Sequence, residues 1–177
     1  MININIFGGP GVGKSTISSG LFYVMKIANL EVEYNQEYAK ELVYGEDNIK
    51  IKDQLLVFAM QNHKLVRLHK KVDYVIHDSP LCLGLVYTKE HKYEHKNLDN
   101  LILEVFNSYT NINIFLERQE CNEYSEKGRF QNLEEAKKID NQILNMLYDN
   151  NLEFYRVPSN ESALEEIMKI VYSYEKD

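Results

Sequence analysis

The segment Gly8-Gly9-Pro10-Gly11-Val12-Gly13-Lys14-Ser15-Thr16 constrains this chain more than any other feature. It fits G-x-x-x-x-G-K-[ST], in which the glycines permit a tight loop whose backbone N–H groups turn inward on a phosphate. A lysine at the position of Lys14 reaches the outer phosphate oxygens, and a hydroxyl at the position of Ser15 holds Mg²⁺. The motif requires a strand before the loop and a helix after it, whose positive end faces the same anion. Both are present: Ile2, Ile4, Ile6 and Phe7 read as a strand, and Ile17, Leu21, Val24, Met25 and Ala28 recur at helical spacing.

The rest of the chain repeats that alternation. Strands are predicted at 2–7, 31–36, 72–77, 112–117 and 153–157, and helices at 14–29, 37–44, 52–71, 97–109, 133–149 and 161–174. The second long helix, 52–71, is expected to bury Leu55, Leu56, Phe58, Ala59 and Leu65. Such a pattern argues for a three-layer α/β fold: a five-stranded parallel sheet flanked by helices, in one domain spanning 1–177. Ligands of these sheets bind at the carboxyl ends of the strands. Asn3 and Asn5 are unusual in a first strand of this type, because central parallel strands are apolar on both faces.

Charge and cysteine content narrow the partners. Twenty basic against 27 acidic residues leave a net charge of −7. That disfavours an extended phosphate backbone or an anionic membrane, which call for a basic face. A small anion held by local groups remains compatible. Cys82 and Cys121 form no CxxC, which fits a reducing, cytoplasmic compartment. No apolar run is long enough for a membrane span, and the start MININIFGG is unlike a secretory signal.

Other candidates lie just after strands. Asp78 follows Tyr74-Val75-Ile76-His77, where a carboxylate holds Mg²⁺ through its waters; Asp-Ser-Pro is also good turn chemistry. Glu37 follows the second strand, placed either to take an acceptor hydroxyl proton or to favour a helix start. Arg118 and Arg129 bracket a polar stretch, expected as a lid over 118–132, where positive charge serves phosphoryl transfer and closure excludes water. Gln54 and Gln61 are candidates to hydrogen-bond an acceptor. His91 and His95 have metal-chelating spacing but no third ligand, and read as a solvated charged run. With no clear guanine-reading N/T-K-x-D segment, ATP is the expected nucleotide.

On these residues the chain resembles the P-loop kinases of the nucleoside and nucleotide group. More narrowly, it is similar to the ribosylnicotinamide kinase domain of the bifunctional nicotinamide-nucleotide adenylyltransferase regulators, and to a related family of small ATPases and kinases grouped under the AAA label. The likeness runs from Ile2 to about Pro158 and rests on several segments. These are the GGPGVGKST loop, Glu37 to Glu41, Asp53-Gln54 with Gln61, Ile76 to Pro80, and Gly128 to Gln131 ahead of a Leu-rich helix. Lys40 stands where an arginine is more familiar.

The resemblance implies that Glu37 and Asp78 lie in the active site. Together with the residue chemistry above, it gives the expectation of an ATP- and Mg²⁺-dependent kinase of a small nucleoside- or nucleotide-like acceptor, with Lys14, Glu37, Asp78, Arg118 and Arg129 as its catalytic groups. Two alternatives stand beside it: an NTP-driven switch acting on a macromolecule, and a kinase acting on a modified base in DNA.

Overall fold

A computed structural model describes residues 1–45, 47, 49–90, 96–119 and 132–174. Arg129, Cys121, His91, His95 and most of the expected lid lie outside the described residues. Five parallel strands form one sheet: β1 Ile2–Phe7, β2 Val32–Asn35, β3 Tyr74–His77, β4 Thr110–Glu117 and β5 Tyr155–Pro158, in the order β2-β3-β1-β4-β5. The helices are α1 Lys14–Ile27, α2 Tyr38–Tyr44, α3 Gln54–Val66, α4 Gly84–Glu90, α5 Lys96–Asn107, α6 Leu133–Asp149 and α7 Ala163–Ser173. Three layers and a parallel sheet are thus as the alternation of strands and helices predicts. No helix among the described residues is long and apolar enough to cross a membrane.

The two faces of the sheet carry separate cores. On one, Ile4, Ile6, Ile112 and Ile114 meet Leu21 and Met25 of α1 and Ile167 and Val171 of α7. On the other, Phe7, Val75 and Phe115 meet Phe58 and Leu65 of α3, residues 81–86, Ile102 of α5 and Ile143 of α6.

Of the two early asparagines, Asn5 finds partners on this second face, whereas the buried Asn3 Oδ1 has no hydrogen-bond partner among the described residues. Asn5 is paired in register with His77 on one side and Asn113 on the other, and His77 with Asn35. Asn5 Nδ2 donates to Oδ1 of both Asn111 and Asn113 at 2.9 Å, and Asn35 Nδ2 lies 3.1 Å from His77 Nδ1. Asn113 Nδ2 in turn donates to the Glu153 carbonyl at 2.9 Å. A polar row therefore crosses four strands, hydrogen-bonded as Asn35 with His77 and as Asn5 with Asn111 and Asn113, while His77 Nε2 has no hydrogen-bond partner among the described residues. Burial lowers the His77 pKa to about 4.

Two elements differ from expectation. The helix expected over 52–71 is shorter, preceded by a 3-10 turn at Lys50–Lys52, and Asp53 caps its start by accepting Leu56 N–H at 3.0 Å. Its buried face is Val57, Phe58, Gln61 and Leu65, while Leu55 and Ala59 are exposed. The apolar run Leu55–Ala59 offers several phases, and packing selected one.

A 3-10 turn at Leu81–Leu83 and helix α4 were not expected. Their apolar residues are buried on every side, and a run without period gives no helical signal.

Candidate active site

All the candidate groups that the structure describes, apart from Gln54 and Gln61, sit at or just beyond the carboxyl ends of strands. β1 runs into the loop 8–13, where Gly13 takes φ 103°, a left-handed conformation that disfavours a side chain, and α1 starts at Lys14. Lys14 Nζ donates to the carbonyls of Gly8 at 2.7 Å and Gly9 at 3.1 Å, so the ammonium folds back over its own loop. Ser15 and Thr16 complete the first turn of α1.

Asp78 follows β3 and is 2% exposed. Its Oδ2 accepts the Tyr34 hydroxyl at 3.1 Å, whereas Oδ1 is buried with no hydrogen-bond partner among the described residues. A buried carboxylate oxygen left over in this way is the donor chemistry of a hard divalent cation. Burial, with the neighbouring Asp78 carboxylate, pushes the Tyr34 hydroxyl well above its ordinary range.

Glu37 occupies the N-cap position of α2, yet its side chain makes no capping bond. Burial raises its pKa, the Asp78 charge adds to that, and Lys14 and Lys40 oppose it. Lys14 is the counterpart: burial lowers its pKa, while Glu37, Asp78 and Asp140 act to raise it. Lys14, Glu37 and Asp78 are therefore one electrostatic group, assembled from the ends of three strands. A carboxylate whose proton affinity is raised by burial is, once ionised, a stronger base than an exposed one and is suited to accept a proton.

Arg118 follows β4. Its Nε donates to Asp140 Oδ2 at 2.8 Å and its Nη2 to the Pro10 carbonyl at 2.8 Å. It thereby braces the loop from outside, on a contact with α6 that the sequence reading did not include. On α3, Gln54 donates its amide to the Ile51 carbonyl at 3.0 Å, which secures the preceding 3-10 turn. Gln61 is buried on the core-facing side of the same helix. Burial also holds the Cys82 thiol protonated, away from nucleophilic use.

Three residues were missed. Tyr34, Asp140 and Ser159 all contact the candidate groups or the loop, and the Ser159 hydroxyl donates to the Val12 carbonyl. Only Asp140 left a signal: a charged residue within the buried Ala136, Ile139, Ile143 stripe of α6.

A family model described as an AAA domain matches residues 3–165. The chain belongs to that family. Two solved structures share the fold over nearly its whole length. Thymidylate kinase from Ehrlichia chaffeensis is 15% identical with a TM-score of 0.67, covering 96% of this chain and 98% of its own. Deoxyadenosine kinase from M. mycoides, with the products dCMP and a flexible dCDP bound, is 18% identical with a TM-score of 0.61, covering 97% and 99%. The fold of this AAA-domain protein is thus that of P-loop nucleoside and nucleotide kinases. The narrower likeness to ribosylnicotinamide kinases has no counterpart among these matches. No curated protein matches the sequence significantly.

Proposed function

We propose that the protein is an ATP- and Mg²⁺-dependent kinase that phosphorylates a small nucleoside- or nucleotide-like acceptor. The observation that carries this reading is the coupling of Lys14, in the phosphate loop, to Glu37 and Asp78 at the ends of two neighbouring strands. The loop and the start of α1 bind the phosphates, with Lys14 leaving its two carbonyls to neutralise the transferring oxygens. Ser15 and Asp78 would hold Mg²⁺, which supplies charge neutralisation on the phosphates when bound. Glu37 orients the acceptor hydroxyl and takes its proton.

Gln54 and Gln61, on α3, form one side of the acceptor pocket in this reading. The fold shared with thymidylate kinase and deoxyadenosine kinase supports an acceptor of nucleoside or nucleotide type.

The test is to follow ADP release from Mg-ATP alone and then with panels of nucleosides, nucleotides and oligonucleotides. Acceptor-dependent release with a phosphorylated small-molecule product is the expected outcome. Release that no small acceptor changes, or that only an oligonucleotide or protein stimulates, overturns the reading.

A further inference from the structure

An acidic side chain grips the loop expected to bind an anion. Asp140 Oδ1 accepts the Gly9 N–H at 2.6 Å, and its Oδ2 accepts Arg118 Nε at 2.8 Å. The two side chains are only 14% and 13% exposed, so the pair is largely removed from solvent. The fit is close: a Cβ on Gly9 would lie 2.6 Å from Asp140 Oδ1 and 2.7 Å from the Ala136 carbonyl. Glycine is therefore required at position 9 for the approach of α6.

A lone carboxylate here would oppose a bound nucleotide, since the Asp140 charge is felt as far as Lys14. Arg118 offsets that charge, and its second contact, to the Pro10 carbonyl, ties the pair to the next residue of the loop.

We propose that Asp140 is a positioning residue for nucleotide binding. Its carboxylate fixes the entry of the phosphate loop through the Gly9 amide, and its pairing with Arg118 keeps it from repelling the nucleotide phosphates. The inference rests on the reading of this loop as the ATP site.

The test is ATP affinity by titration calorimetry with Mg²⁺ and no acceptor, together with thermal melts, for wild type, D140A, D140N, R118Q and D140N/R118Q. Loss of the Gly9 acceptor in D140A weakens ATP about tenfold, the equivalent of one buried amide left unpaired. R118Q, which bares the carboxylate, weakens ATP by about tenfold, and adding D140N restores most of that loss. D140N alone, which retains an acceptor for Gly9, stays within about threefold of wild type.

Wild-type ATP affinity in both D140A and R118Q, even with lowered melting temperatures, makes Asp140 a brace for the fold alone and overturns the inference. Equal affinity in R118Q and the double variant also overturns it, and that comparison stands if D140A fails to fold. A wild type that binds no ATP overturns the nucleotide reading and the inference with it.

Discussion

The proposed phosphate end and the proposed acceptor end of the site are held in different ways. At the phosphate end every support converges on one short loop: Asp140 on Gly9, Arg118 on Pro10, and Ser159 on Val12. At the proposed acceptor end, Glu37 follows β2, Gln54 and Gln61 lie on α3, and Glu37 makes no capping bond with the helix it begins. Tyr44, Ile49 and Leu55 around that end are exposed. The loop works through its backbone, which neighbours can brace. The proposed acceptor end relies on side chains, which depend on where whole elements come to rest.

This contrast predicts separable failures. Lys14→Ala lowers turnover by about 10³-fold or more and weakens ATP binding, because it removes the cationic side chain of the loop. Wild-type turnover in that variant, measured by ADP release, breaks the assignment of the phosphate end.

Glu37→Gln lowers turnover by about 10² to 10⁴-fold and leaves ATP affinity near wild type, since the lost group belongs to the acceptor end. The folded state raises the Glu37 pKa, so it holds that proton more tightly than the unfolded chain does. Stability is then lost as pH rises through and above the ordinary carboxylate range. The glutamine variant lacks this penalty, and at pH 7 it melts a few degrees higher. A lower melting temperature with unchanged turnover would make Glu37 a helix-start residue only.

The polar row beneath both ends should affect stability. His77 is held neutral with a pKa lowered to about 4, against an ordinary value of 6.5. The unfolded chain therefore binds the extra proton between those two pH values, and stability falls as pH drops from 6.5 toward 4. That limb is worth about 3 kcal/mol. His77→Gln flattens it, as read from urea unfolding at pH 4, 5, 6 and 7; an unaltered limb contradicts the assignment.

Asn5→Ala, which strips donors from Asn111 and Asn113, costs about 2 kcal/mol at pH 7. A neutral effect there shows that the row is not held by Asn5.

How far the sequence could be read follows from distance along the chain. Residues 8–16 act together because they are consecutive, so their grouping was visible before any fold was known. Alternation of strand and helix gave the layers. Glu37 and Asp78 stood out because strand ends gather at one edge of a parallel sheet. The Asp140–Gly9 contact spans 131 residues and Arg118–Pro10 spans 108, and no local pattern encodes such pairs. Asn5 looked misplaced for the same reason: its partners lie on β4, more than 100 residues on.

The sequence by itself determined the phosphate loop, the α/β class, the strand ends that carry carboxylates, and the absence of a surplus of positive charge. Tertiary structure alone decided the strand order, the face that α3 buries, the placement of Arg118 behind the loop, and the polar row across four strands. Local chemistry acts over a few bonds and can be read from neighbours. Hydrogen bonds and charge pairs between elements depend on packing, which brings distant residues together only once the sheet has formed.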